Sequence, residues 1–142
     1  MNYQRILGID FGTRRIGVAV SDPTGTIASG VAVIANSSVM FTELKRLAEQ
    51  YDVKTIVVGM PFNLKGERGA KALEVEEFMR GLRDATGCDI VEWDERFTSQ
   101  SAQETMRAMG MKKKQRQEKS RVDLMASALI LQGYLDASKS GG

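Results

Sequence analysis

The chain has 142 residues, 42% of them hydrophobic and 27% charged, with a formal net charge of +2, as suits one globular domain around one core. It has no histidine and one cysteine, Cys88, which excludes a Ser-His-Asp triad, a zinc site built on histidine or clustered cysteines, and an internal disulfide. No apolar run approaches the roughly 20 residues of a membrane helix, and Asp10 interrupts the first apolar stretch, so a cytoplasmic protein with no membrane partner is expected. Any catalysis must then run on carboxylates, hydroxyls, Lys, Arg or hard metal ions.

In chain order, Arg5–Phe11 and Arg15–Ser21 are apolar, β-branched runs separated by the hairpin signal Gly12-Thr13. Thr26–Ala35 reads as a third strand. Val39–Tyr51 carries Met40, Phe41, Leu44, Leu47, Ala48 and Tyr51 at helical spacing. Lys54–Met60 is a short buried strand, and Pro61, Asn63, Gly66 and Gly69 mark the loop after it. Ala70–Thr86 is a second helix, with Leu73, Val75, Phe78, Met79 and Leu82 expected on its buried side. Asp89–Asp94 is a fifth strand, and a helix from about Thr98 to Met109 stops at Gly110. Ser120–Ala137 is the last helix. Residues 1–137 form one domain, and 138–142 are read as a disordered tail.

The three N-terminal strands are joined by short turns and must pair antiparallel. Strands four and five each follow a helix, so right-handed crossovers set them parallel to the first. The expected fold is α/β: a five-stranded mixed sheet with helices on both faces and the first strand central. Ligands in such sheets favour the carboxyl ends of the strands where the order switches.

Asp10 falls at that end of the first strand. Asp is disfavoured in strands, and burying its charge costs several kcal/mol unless something pairs with it, so a metal or a phosphate is the expected partner. Strand five delivers Asp94-Glu95-Arg96 to the same edge. Asp123, in the first turn of the last helix, has a small and apolar face around it at Ala126, Ser127 and Ile130. Each has a plainer reading: a turn Asp, a surface ion pair, and a helix cap in Ser120-x-x-Asp123. Together they point elsewhere. One pair of carboxylates about 5 Å apart repels by roughly 3 kcal/mol at an effective dielectric of 20. Two Mg²⁺ or Mn²⁺ ions would remove that repulsion, since hard ions suit all-oxygen ligands, and two such ions support phosphodiester cleavage.

The charge is uneven. Met111–Arg121 holds Lys112, Lys113, Lys114, Arg116, Lys119 and Arg121 against Glu118, so this segment carries +5 and the rest −3. A basic segment on a slightly acidic body suggests a polyanionic partner; the plainer reading is a solvated loop.

These residues resemble the bacterial family called YqgF, or RuvX, across nearly the whole chain. The resemblance lies in Gly-Ile-Asp-Phe-Gly-Thr at 8–13, Arg-Ile-Gly-Val-Ala-Val-Ser-Asp at 15–22 and Val-Gly-Met-Pro-Phe-Asn at 58–63. It continues in Asp-Glu-Arg-Phe-Thr-Ser at 94–99, Val-Asp at 122–123 and Ile-Leu-Gln-Gly-Tyr-Leu-Asp at 130–136. Members are ribonuclease-H-like proteins described as Holliday-junction resolvases and as nucleases of pre-16S ribosomal RNA. The resemblance implies Asp10, Glu95 and Asp123 as the metal-binding, catalytic acids, with Glu95 rather than Asp94.

Arg14, Arg15 and Arg96 flank the acids and are candidates for phosphate oxygens. Asn63, Lys65 and Arg68 lie in the loop after strand four and could touch a nucleic-acid backbone, as could the basic segment. The expected activity is a metal-dependent endonuclease on structured nucleic acid, with pre-rRNA, in a ribosomal assembly particle, ahead of branched DNA. Two other readings compete. Gly-Ile-Asp-Phe-Gly-Thr would also suit the phosphate loop of an actin- or Hsp70-type ATPase, but those need two such domains and a second phosphate hairpin. A catalytically silent assembly factor would not need all three acids.

Overall fold

The computed structural model describes residues 4–62, 65–95 and 119–140, with the backbone alone for 119–122 and 139–140. Its strands are β1 (Ile6–Phe11), β2 (Arg15–Ser21), β3 (Ala28–Ala35), β4 (Thr55–Met60) and β5 (Asp89–Asp94). The described helices are α1 (Met40–Gln50), α2 (Ala70–Thr86) and α3 (Lys119–Ser140). The strands form one sheet in the order β3-β2-β1-β4-β5. β1, β2 and β3 pair antiparallel, and β4 and β5 run parallel to β1, as the connection lengths require.

Successive strand residues face opposite sides of a sheet, and the two sides bury different residues. Leu7, Ile9, Ile16, Val18, Val20, Ile56, Val58 and Met60 pack under α1 and α2, against Leu44, Leu47, Val75, Phe78 and Leu82. Phe78 meets Phe11 with ring centroids 4.4 Å apart and stacks on Phe41 at 5.6 Å. On the other side Ala19 and Val57, with Ile6, Val91 and Trp93, meet Ile130, Leu131 and Leu135 of α3.

The second face is built for close approach. A Cβ at Gly8 would lie 2.5 Å from Leu131 Cβ, and one at Gly17 would lie 2.3 Å from the Asp123 carbonyl oxygen. Only glycine lets α3 lie directly on β1 and β2 at these points.

Apart from one-residue shifts at the ends of β1, α1 and β4 and at the start of α3, three details differ from the sequence pattern. β3 begins at Ala28, not Thr26, because the Asp22 carboxylate accepts the Thr26 and Ile27 N–H groups at 2.7 and 2.9 Å and holds them in the turn. Leu73 is 60% exposed, and Ala72 takes the buried position beside it; the apolar stripe of α2 starts at Ala72 and Val75. α3 continues three residues past Ala137, to Ser140, where Ser138 and Lys139 extend the helical backbone. The helix expected over Thr98–Met109 lies outside the described residues.

Candidate functional site

Asp10 is the fifth residue of β1 and shares the α3 side of the sheet with Ile6 and Gly8. Its partner across the antiparallel ladder is Gly17, and β4 runs alongside with Ile9 opposite Val58. Gly17 and Gly59 leave room beside the carboxylate, which α3 takes up at Gly17. Glu95 fills part of it: a Cβ at Gly59 would lie 2.6 Å from Glu95 Oε1. The chain leaving β5 thus folds its first acid back over β4, onto the strand next to Asp10.

The two acids are hydrogen-bonded to each other. Burial is the largest influence on both. It pushes Asp10 above its ordinary value, with the Asp123 charge adding to the shift. Glu95 is raised to about 7, by burial first and then by the charge of Asp10. The hydrogen bond favours the ionised form of Asp10 and the protonated form of Glu95. Both acids are thus harder to ionise than free carboxyls, and the pair titrates as a unit. Asp94 contributes a further negative charge that raises Glu95.

Asp123 comes from the first turns of α3, which Gly17 seats against β2. Its Oδ2 accepts a hydrogen bond from Arg15 Nε at 2.8 Å. Asp123 bears on Asp10 through its charge but is held by Arg15. No three His, Cys, Asp or Glu side chains among the described residues are gathered closely enough to cage an ion; the three acids stand as a bonded pair and a neighbour.

A residue that sequence reasoning missed is Lys71. It is exposed, in the first turn of α2, and its charge lowers the pKa of both Asp10 and Glu95. A cation in a first helical turn opposes the helix dipole. That mismatch, just after the loop that follows β4, was the available signal.

Asn36 was missed too. Its side-chain amide donates to the Gly12 carbonyl at 2.9 Å and its backbone N–H to Arg14 O at 2.9 Å, tying the end of β3 to the hairpin that carries Asp10. Within the hairpin Gly12 N–H donates to Arg15 O at 3.0 Å, and a Cβ on Gly12 would lie 2.5 Å from that same oxygen.

The candidate phosphate contacts separate into groups. Arg14, at the tip of the hairpin, and Lys65, after β4, are exposed at the edge where the acids lie. Arg68 is engaged elsewhere: its amines donate to Glu76 at 2.7 Å and to Glu92 at 2.7 Å, and it lies 5.0 Å over the Phe62 ring. It clamps the loop to α2 and β5. Asn63, Arg96, Lys112, Lys113, Lys114 and Arg116 lie outside the described residues, as do the side chains of Lys119 and Arg121.

A mixed sheet in this order, with an acid on the central strand, another beyond β5 and a third on a helix across the sheet, defines a resolvase-type ribonuclease-H-like fold. The structure of Thermus thermophilus RuvC in complex with a Holliday junction substrate matches with a TM-score of 0.60 over 96% of each chain, at 16% identity. The fowlpox virus resolvase in complex with Holliday junction DNA matches with a TM-score of 0.54 over 95% of this chain and 99% of its own, at 14% identity. At such identities the likeness concerns the fold.

The chain belongs to the RuvX family, described as Holliday junction resolvase, which it matches over residues 4–137. A relative from Ruminiclostridium cellulolyticum is 44% identical over 135 residues, covering 93% of this chain and 94% of its own. One from Acetivibrio thermocellus is 43% identical over 137 residues, covering 94% and 96%. Both are named "Putative pre-16S rRNA nuclease".

Proposed function

We propose that the chain is a metal-dependent endonuclease that cuts phosphodiester bonds in structured nucleic acid, and that its substrate is the 5′ leader of pre-16S rRNA. The observation that supports this most is the half-buried Asp10–Glu95 pair, two carboxyl groups in contact, with Asp123 adding negative charge from a third element. Two acids whose ionisation is opposed by burial and by each other mark a place where a cation would be welcome. The donor set is all oxygen, which suits Mg²⁺ or Mn²⁺.

Asp10, Glu95 and Asp123 would hold the metal. Metal bound there would activate water and stabilise the leaving oxygen. A cation bound there would favour the ionised form of Glu95, and the Lys71 charge already acts in the same direction on both acids. Arg14 and Lys65 stand at the edge where a phosphate backbone would pass. The choice of RNA follows the names of the relatives. The family's description supports a second reading, a four-way DNA junction.

The experiment compares cleavage of labelled pre-16S leader RNA, a four-way DNA junction and plain duplex, each in Mg²⁺ and Mn²⁺. Asp10→Asn is expected to abolish cleavage and leave metal-free stability equal or higher, because it removes one charge from a repelling cluster. Near-wild-type cleavage by that variant would sink the assignment. Faster cutting of the junction than of the leader would replace RNA by DNA.

Metal should also stabilise the fold. An ion at 100 times its Kd adds about 2.7 kcal/mol. Mn²⁺ should raise the Tm of the wild type more than that of Glu95→Gln or Asp123→Asn. Equal shifts in all three would place the ion elsewhere, and a larger shift with ATP would favour a kinase-like role.

A further inference from the structure

Arg15 opens β2, and the bond from its Nε to Asp123 Oδ2 spans 108 positions of sequence. The contact uses half of each group. Nη1 and Nη2 of Arg15 donate to no described residue, and Oδ1 of Asp123 accepts from none. The Arg15 side chain keeps 35% of its exposure and Asp123 keeps 21%. Both side chains are therefore partly open to solvent. The bond is anchored at both ends: Gly17, two residues after Arg15, lies directly under the Asp123 backbone, and the Arg15 carbonyl closes the hairpin that carries Asp10.

We propose that Arg15 serves the site twice with one guanidinium: its Nε positions Asp123 beside Asp10, and its terminal amines take a non-bridging oxygen of the phosphodiester backbone lying over the acids. Arginine is required for this, because its planar fork offers five donors in fixed directions. A lysine has three donors on a single nitrogen, so it lacks separate atoms to hold the carboxylate at the Nε position and reach a phosphate from the end of the side chain. The second role deepens the nuclease reading and rests on it. The ligand class is a phosphodiester, ribose or deoxyribose alike, since the contact touches no base.

Two measurements test it: the thermal shift with Mn²⁺, and the salt dependence of binding to a labelled single strand and a duplex in Ca²⁺. The proteins are wild type, Arg15→Gln, Arg15→Lys, Asp123→Asn and the double variant Arg15→Gln/Asp123→Asn. Residues that orient a metal-binding group typically matter 10–100-fold for metal affinity. Arg15→Gln should therefore weaken Mn²⁺ binding at least about ten-fold. It should also flatten the log–log salt slope by about 0.7 on the single strand and about 0.9 on the duplex. Arg15→Lys should keep the slope and still lose Mn²⁺ affinity. Adding Arg15→Gln to Asp123→Asn should change the Mn²⁺ response no further.

A Gln variant with wild-type affinity and slope overturns the proposal, as does a Lys variant that restores both. So does a Gln variant that weakens Mn²⁺ binding equally with and without Asp123. Should Arg15→Gln fail to fold, Arg15→Lys carries the test alone through its split response. A wild type that neither responds to Mn²⁺ nor cleaves defeats the nuclease reading itself; one that does both, with Arg15→Gln indifferent, defeats only the assignment to Arg15.

Discussion

The two faces of the sheet differ in what their residues are for. Under α1 and α2 the strands present Leu7, Ile9, Ile16, Val18, Ile56, Val58 and Met60, large side chains that interlock with Leu44, Phe78 and Leu82. Under α3 they present Gly8, Gly17, Gly59 and Ala19, and polar groups gather at one end: Asp10, Glu95 and Asp123. The first face buries much apolar area. The second gives some of that up so that a helix and three carboxylates come within reach of one another. The sheet thus stands between a densely packed apolar face and the face that bears the candidate site.

The largest expected effect falls on the first face. Ile56 is fully buried there, and Ile56→Ala should destabilise by about 2–5 kcal/mol. Well below its lowered Tm the variant should still bind Mn²⁺ as the wild type does. Loss of metal binding in the folded variant, read by calorimetry, would show that the faces are coupled.

Next comes Gly17→Ala on the second face. Its Cβ would meet the Asp123 carbonyl at 2.3 Å, and backbone cannot yield as a side-chain tip can. A cost of about 1–3 kcal/mol is expected from the overpacking. Unlike Ile56→Ala, this variant should also lose Mn²⁺ affinity, because α3 carries Asp123 away from Asp10. An unchanged metal response would mean that the seating of α3 is irrelevant to the site.

The smallest effect is electrostatic. Glu95 is raised from 4.5 to about 7 in the folded chain. Between those values the folded protein holds a proton that the unfolded chain has released. The stabilisation from Glu95 is complete below about 4.5 and is lost as pH rises through about 7. In EDTA the Tm of the wild type should therefore decline across that window. Glu95→Gln should flatten the decline, and Mg²⁺ should reverse it above pH 7. A wild-type Tm that rises from pH 5 to 7 in EDTA, with no difference from Glu95→Gln, would overturn the raised titration of Glu95.

Much of this molecule was legible in its one-dimensional pattern. β-branched runs, a Gly-Thr hairpin and two helix-length crossovers dictate a mixed sheet with β1 in the centre, because short turns force antiparallel pairing and long crossovers force parallel pairing. The exposure of Leu73 escaped that reading, since an apolar residue at the margin of a helical stripe can fall on either side of it. So did the start of β3, where the Asp22 side chain competes for the N–H groups of Thr26 and Ile27.

The acids were visible for a local reason: a carboxylate inside a strand contradicts its surroundings wherever the chain goes. Their arrangement was not visible. Whether Arg15 turns toward Asp123 or toward solvent, and whether Lys71 overlooks Asp10 and Glu95, depends on how α2 and α3 settle on the sheet. Gly17 and Gly59 can be read in the sequence as small, but only the packed helix shows what that smallness admits. The sequence by itself determined which residues could not be ordinary core or surface, because burial and charge are properties of single side chains and their local pattern. Which of them meet was decided by the tertiary structure alone, because a contact across 108 residues exists only once the sheet has been assembled between them.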